Sequence, residues 1–211
     1  GYTVLEQAAT EDTFLGAFQI AGRLRLADQL KVSPAVGYYL YSNVTPAGSK
    51  TILNDNAGNA TVDTNGDGKP DEFRSRFGVL NPIVGLTYDG WKLPLTLAGE
   101  YILNTRARGG RDQGWAVGAA LGKAEKQGDW RLYYHWQVVE QDAVFSPFVQ
   151  SDFLLQTNHR SHLFGVNHQL TDKIGLQAWG LVSARDETSP GATTDSDLDQ
   201  WRARLDLNIK F

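Results

Sequence analysis

The stretch that decides the fold is LDQWRARLDLNIKF, residues 198–211. From Trp201 to Phe211, apolar and polar residues alternate without a break. Successive side chains of an extended strand point to opposite faces, so this alternation predicts a β-strand with one apolar and one charged face. The same period recurs along most of the chain, and no stretch shows the period of an amphipathic helix.

Nine segments carry this alternation and are predicted to be strands. They are residues 14–26, 32–40, 80–88, 91–103, 115–121, 130–138, 164–170, 174–182 and 198–211. Pro34 lacks a ladder donor and is therefore expected near a strand end or a bulge. Residues 2–9 are either a tenth strand or the tail of a loop.

The connections between these strands alternate between short and long. Asp89-Gly90 is a strong hairpin signal, whereas a polar stretch rich in Gly, Asn and Asp fills residues 45–72. Short turns at one end and long loops at the other are typical of outer-membrane barrels. Tyr and Trp residues flank the apolar runs, as the interfacial girdles of a barrel require. The alternative is a soluble β fold with aromatic residues in its core, which so long a loop disfavours.

The sequence therefore predicts an all-β protein, an antiparallel up-and-down transmembrane β-barrel of the outer-membrane type. Residues 1–211 would supply nine or ten strands, with 45–72 as a long extracellular loop. Single-chain bacterial barrels have even strand numbers. Either residues 2–9 form the tenth strand, or the chain is the C-terminal portion of a larger barrel, which is the interpretation we favour.

Composition limits the other classes of function. The 211 residues carry a net charge of −4, which argues against a nucleic-acid partner. There is no cysteine, so disulfides and thiolate metal sites are excluded. The mean hydropathy of −0.36 is typical of soluble proteins. It does not exclude a membrane barrel, because only every second residue of each strand faces lipid.

Several short motifs resemble the putative porin family of Gram-negative outer membranes. They are Gly128-Asp129-Trp130, Asp142-Ala143-Val144-Phe145, Ser151-Asp152-Phe153, Thr157-Asn158-His159 and the C-terminal stretch Leu205 to Phe211. The resemblance implies pore formation in the cell outer membrane, contact with the lipid bilayer and lipopolysaccharide, and passage of small solutes. Phe211 resembles the terminal signal read by the barrel assembly machinery. A homo-oligomer is left open.

Twelve polar residues on the inward parities are predicted to line the pore. They are Arg23, Arg25, Lys31, Lys92, Glu100, Arg131, His135, Gln137, Arg202, Arg204, Asp206 and Lys210. The excess of basic residues predicts a lumen that enriches anions. The alternative is a solvated face whose basic residues pair with Glu100 and Asp206. The loop at 140–158 is expected to fold inward on its apolar anchors Phe145, Phe148 and Phe153.

The segment from Asp63 to Glu72 resembles a calcium loop. Oxygen ligands at its first, third, fifth and ninth positions, with glycine at the sixth, suit a hard cation. The predicted ligands are Asp63, Asn65, Asp67 and Asp71. Arg74 stands where an EF-hand has its last glutamate, so the segment departs from the EF-hand pattern. The predicted Ca²⁺ would order the loop rather than act in catalysis. The alternative is a solvated acidic loop.

No catalytic residues are predicted. His135 or His162 could serve as the base of an outer-membrane hydrolase, but the sequence has no G-x-S-x-G motif. His159 and His162 fall on opposite parities, which opposes shared metal ligation. The predicted function is a porin-like channel for passive diffusion of small hydrophilic solutes or ions. The alternatives are a non-conducting scaffold barrel that anchors a partner protein and a soluble calcium-binding β protein.

Overall fold

The regular structure of the described residues is β-strand, apart from one short 3-10 helix at Ser146–Phe148. The computed structural model describes residues 2–5, 12–46, 58–149, 157–186 and 200–210. The strands are β1 (Tyr2–Leu5), β2 (Thr13–Ala21), β3 (Leu24–Ala27), β4 (Leu30–Ser42), β5 (Thr61–Val62), β6 (Glu72–Phe73), β7 (Gly78–Tyr88), β8 (Leu95–Asn104), β9 (Gln113–Gly122), β10 (Trp130–Val139), β11 (His159–Gln169), β12 (Ile174–Arg185) and β13 (Gln200–Ile209).

One antiparallel sheet contains all but two of these strands. Its order is β1-β2-β4-β7-β8-β9-β10-β11-β12-β13, and β3 also pairs with β4. Apart from β3, neighbours in the sheet are successive strands of the meander, which confirms the up-and-down prediction. β5 and β6 form a separate two-stranded hairpin that lies inside the predicted 45–72 loop except for Phe73, its last residue. Within the described residues no ladder joins β1 to β13, so the sheet is open.

The described residues include no helix of the length and apolar character needed to cross a membrane.

All nine predicted strands are present, and residues Tyr2–Leu5 add a short tenth. That strand pairs antiparallel with β2, with Thr3 opposite Phe14. From the sequence alone, this segment is either a strand or the tail of a loop. The interpretation favoured there, a larger barrel, does not require it to be a strand. Hydrogen bonding to β2 decides the matter in favour of a strand.

Two predicted strands are interrupted or shortened beside a proline, which has no backbone N–H to donate. The segment 14–26 breaks at Gly22 and Arg23, opposite Pro34, which has no N–H to donate across the ladder. Pro34 lies well inside β4 rather than near its end, and the predicted irregularity falls opposite it, in the partner strand. The segment 91–103 begins as a strand only at Leu95, directly after Pro94.

The ladders divide the side chains between two faces. We call the face that carries Leu132, Tyr134 and Leu205 the outer face, and the face that carries Arg131, His135 and Arg204 the inner face. The pairs Leu132 to Leu121 and Tyr134 to Phe164 keep each parity on one side across several strands. Leu205 is 69% exposed and Leu132 55%, so the apolar side chains point away from the protein.

Gly122 closes β9 in a conformation that other residues avoid. Its φ is +81°, and a Cβ there would overlap the Trp130 carbonyl oxygen. Gly128, in the same connection, has a φ of +86° but nothing within 4 Å of its would-be Cβ. The two glycines share the strain of a positive φ, and only Gly122 adds a clash with the backbone.

We expect Gly122→Ala to lower the free energy of unfolding by about 1–3 kcal/mol more than Gly128→Ala does. Both variants carry the cost of a positive φ, but only Gly122→Ala must also move the β10 backbone. Urea unfolding in detergent, followed by tryptophan fluorescence, measures the difference. Equal destabilisation of the two variants would contradict this account.

Candidate functional site

The outer face carries two rows of aromatic residues. Near the short turns, Tyr88 contacts Trp91 at 5.3 Å between ring centroids, and Trp130 stacks on His168 at 3.8 Å. Trp130 and the Trp136 of the second row are six positions apart, which in an extended strand is about 20 Å. Apart from Tyr134, the outward side chains of β10, β11 and β13 between the rows are apolar, among them Leu132, Val166 and Leu205. An apolar band flanked by aromatic girdles is what a lipid-facing barrel wall requires.

The second row lies near the long loops. Trp115 and Trp136 meet edge to face at 4.1 Å, and Trp136 lies 6.5 Å from the His162 ring. The hydroxyl of Tyr134 lies 2.7 Å from His162 Nδ1, so this histidine is tied to the aromatic row. His159 lies on the other face, 3.1 Å from Gln137 Nε2 through its Nε2. The predicted opposite orientation of the two histidines is therefore confirmed.

The inner face carries most of the predicted pore-lining residues. Seven of them lie on inward positions of the strands β8, β10 and β13: Glu100, Arg131, His135, Gln137, Arg202, Arg204 and Asp206. Arg25 and Lys31 share this face near the short turns, where their side chains are paired with turn acids. Arg25 Nη2 lies 3.7 Å from Asp28 Oδ1.

Three of the predicted pore-lining residues lie outside the strands. Arg23 is in the break between β2 and β3, and Lys92 is in the connection before β8. The apolar–polar alternation runs on through Gly22 and across Pro94, so it predicts both residues on strands, which is wrong. Lys210 follows the last residue of β13, and its N–H donates to the Lys173 carbonyl over 2.8 Å.

Lys31 is held at the short-turn end by an acid. Its Nζ lies 2.6 Å from Asp89 Oδ2. The hydrogen bond from Lys31 lowers the pKa of the Asp89 carboxyl below its usual range. The pair is exposed and joins the start of β4 to the turn after β7, so it stabilises only this end of the sheet.

A packed group of loop residues covers part of the inner face at the opposite end. We call residues 58–77, 105–112 and 140–149 the loop cap. Its core contains Phe73, Phe77 and Phe145, with ring centroids 5.2–5.9 Å apart. Tyr41 of β4 reaches this cluster, 5.0 Å from Phe145. Aromatic residues in polar loops thus form a small hydrophobic core above the sheet.

The loop cap folds inward over β4, β7 and β8. A cavity of about 200 Å³ lies between them, lined on the sheet side by Tyr39, Tyr41, Val79, Asn81 and Ile102 and on the cap side by Val144, Phe145, Phe148 and Val149. The described part of the 140–158 loop therefore folds inward on Phe145 and Phe148, as predicted. Its third predicted anchor, Phe153, lies outside the described residues, as does Phe211.

Asparagine side chains join the loops of the cap. Asn59 Nδ2 donates to the carbonyl oxygens of Gln141 and Val144, at 2.8 and 2.9 Å. Its Oδ1 accepts from the Ser146 N–H at 2.9 Å and from the Ser146 hydroxyl at 2.6 Å. Asn104 Nδ2 donates to the Asp142 carbonyl at 2.8 Å. These four hydrogen bonds of the Asn59 side chain all go to the loop that follows β10.

Asp142 is the buried acid of the cap. Its Oδ1 accepts from the Ala60 N–H at 2.9 Å, and its Oδ2 accepts from the Ser75 hydroxyl at 2.7 Å. Its side chain is 2% exposed, although it belongs to a long polar loop. Burial raises the pKa of the Asp142 carboxyl above its usual range, although the hydrogen bonds from Ala60 and Ser75 oppose this.

The predicted calcium ligands lie in an exposed turn of the cap. Asp63 accepts from the N–H groups of Gly66 and Gly68 at 2.7 and 2.8 Å. Asp71 accepts from the N–H and the hydroxyl of Thr64, and these hydrogen bonds lower its carboxyl pKa. In the part of the chain that the structure describes, no three His, Cys, Asp or Glu side chains are grouped to hold a metal. Calcium binding therefore stays a prediction.

The family model described as putative porin matches residues 84–211. The chain belongs to this porin family. The match begins in β7 and includes β8 to β13, and with them most of the basic inner face. No curated protein and no solved structure matches the chain.

Sequence reasoning on this porin-family chain missed the buried polar residues of the cap and of the strand end that holds it. Asn59, Ser75, Asn104 and Ser146 are buried, yet each is a residue type common in solvated turns. Only Phe73, Phe77 and Phe145, three aromatic residues inside polar loops, could have indicated a buried cluster there.

We expect the loop cap to become better protected as pH falls from 7 toward about 4. A carboxyl whose folded pKa is raised contributes stability below its unfolded pKa, and this is lost as pH rises through the folded pKa. Asp142→Asn removes the titration and keeps an acceptor for the Ala60 N–H. Hydrogen exchange of residues 58–77 and 140–149, corrected for intrinsic rates, should depend on pH in the parent and much less in the variant. Equal dependence in both would exclude Asp142 as the cause.

If the Asp63–Asp71 turn binds calcium, Ca²⁺ will slow proteolysis of this turn in the parent. Asp67→Ala should abolish that protection because it removes one of four oxygen ligands. Asp172→Ala, an exposed acid in a short turn at the other end of the sheet, is the control. The prediction fails if Ca²⁺ and a chelator give the parent the same cleavage rate.

Proposed function

We propose that this chain forms part of the wall of an outer-membrane β-barrel through which small hydrophilic solutes diffuse. The observation that carries the proposal is the two-faced sheet. Its outer face is apolar and exposed between two aromatic rows, and its inner face carries arginine, histidine, glutamine and tyrosine side chains. Such a sheet is stable where lipid covers one face and water the other.

The loop lengths support an orientation in the membrane. Short turns join β7 to β8, β9 to β10 and β11 to β12, whereas the loop cap belongs to the opposite end. In outer-membrane barrels the short turns face the periplasm and the long loops face outward. The partners of the outer face would be lipid and lipopolysaccharide. The sequence gives no catalytic group a role in this function.

The loop cap would narrow the outer entrance of such a pore. It lies over the inner face of β4, β7 and β8, and it is fixed to the sheet by Asn104 at the end of β8. A cap held by buried hydrogen bonds does not move freely, so it would limit solute size rather than open and close rapidly.

A second candidate function is a scaffold barrel that conducts nothing. The covering of part of the inner face by the cap favours it, because a cap that met the opposite wall would close the pore. The two functions differ in one measurable property, the ionic conductance.

Planar-bilayer conductance of the folded, detergent-purified protein tests the proposal. Stable steps that scale with salt concentration are expected, and heat-denatured protein is the control. Silence from protein that still shows the heat-modifiable migration of a folded barrel would overturn the pore and favour the scaffold.

Asn59→Ala is expected to enlarge the steps or make them noisier. The change removes the hydrogen bonds to Gln141, Val144 and Ser146, and leaving such buried groups unpaired costs about 1–3 kcal/mol. The 140–149 segment should then move away from the sheet. Asn65→Ala, in the exposed turn of the cap, is the matched control. Identical steps in both variants would mean that the cap does not narrow the pore.

A further inference from the structure

The inner face is strongly asymmetric in charge. Among the described residues, seven basic side chains occupy inward positions or continue the inward row: Arg25, Lys31, Arg131, Arg185, Arg202, Arg204 and Lys210. In the strands that the structure describes, two acids share this face, Glu100 and Asp206. Five of the seven basic residues belong to β10, β12 and β13 or directly follow β13. The asymmetry is therefore concentrated on one part of the sheet.

Both acids of the inner face are engaged by neighbours. Glu100 Oε1 accepts from Asn81 Nδ2 at 2.8 Å, which joins β8 to β7 on the same face but away from the basic strands. Asp206 Oδ1 accepts from Arg204 Nε at 2.7 Å. Among the described residues, Asp206 pairs with Arg204, and no ion pair joins Glu100 to an arginine. On the inward positions of β10 to β13 the described basic side chains therefore outnumber the described acids.

Arg131 is held by an aromatic ring rather than by an acid. Its guanidinium carbon lies 5.0 Å from the centroid of the Tyr133 ring, and it forms no ion pair with any described residue. A cation over an aromatic face is oriented without losing its charge. The N–H groups of the Arg131 guanidinium can therefore still pair with an oxyanion.

Tyr133 is itself fixed in place. Its ring lies over Gly165, where any Cβ would overlap the phenol, and its hydroxyl accepts from Gln177 Nε2 at 3.2 Å. The next residues across the sheet on this row are Trp179 and Arg204. A guanidinium, a phenol, an indole and a second guanidinium therefore line one stretch of the inner face.

We propose that the inner face of β10 to β13 selects small organic carboxylates among the solutes that pass. The inference rests on the proposed pore. Arginine forks pair with carboxylates in two parallel hydrogen bonds, and the rings of Tyr133 and Trp179 offer a surface for the apolar body of the same solute. A low-dielectric wall strengthens the attraction and excludes cations.

Reversal potentials in a potassium chloride gradient test the charge preference. The parent is expected to favour chloride over potassium, and Arg131→Glu should shift the reversal potential toward cation selectivity. Lys92→Glu makes the same charge change in an exposed connection outside the strands and should have little effect. Stable conductance with cation selectivity in the parent would overturn the inference and leave the pore intact. Silence from the folded barrel would overturn both.

Benzoate tests the preference for a carboxylate with an apolar body. It should block the chloride current reversibly, and acetate should block it less. Arg131→Lys keeps the charge but loses the fork, so it should keep the reversal potential and weaken the benzoate block by about tenfold. Tyr133→Ala should also weaken the block. Equal block by benzoate and acetate, or an unchanged benzoate block in both variants, would overturn the carboxylate preference.

Discussion

Pairing of backbone N–H and C=O groups between neighbouring strands is the constraint on which this structure depends. In the proposed barrel the bilayer would offer no water to satisfy these groups, so each would need its partner in the next strand. Once the ladders are formed, every residue is assigned to one face or the other, and a shift by one residue would exchange the faces. The separation of Arg131 from Leu132, or of Arg204 from Leu205, is thus a property of register.

The small residues of β9 and β11 let large neighbours lie flat against the sheet. The inward residues of β9 are Gly114, Ala116, Gly118, Ala120 and Gly122, and the His135 ring lies so close to Gly118 that a Cβ there would be 2.6 Å from its Nδ1. Gly165 does the same for Tyr133. The positions of the polar groups on the inner face are therefore determined partly by residues that have no side chain.

The strands could be predicted from sequence because their signal is local. Alternation over ten residues, as in β13, needs no knowledge of what the strand touches. The limits of β2 and β8 were missed because Pro34 and Pro94 act through a missing ladder bond, which depends on the partner strand. The loop cap was beyond prediction for the same reason: Asp142 is buried by residues more than sixty positions away. The side of the sheet on which Arg131, His135 and Arg204 lie was predictable, but the contacts that hold them were not.

The loop cap also restricts how the chain can vary. Asn59 and Ser146 are 87 positions apart, yet their hydrogen bonds require the turns that follow β4 and β10 to meet at one height above the sheet. Lengthening either loop near these residues would move one partner away from the other. Surface loops of a barrel are ordinarily free to accept insertions one at a time. Here buried hydrogen bonds join three of them, so a tolerated change in the length of one loop must be matched by changes in the others.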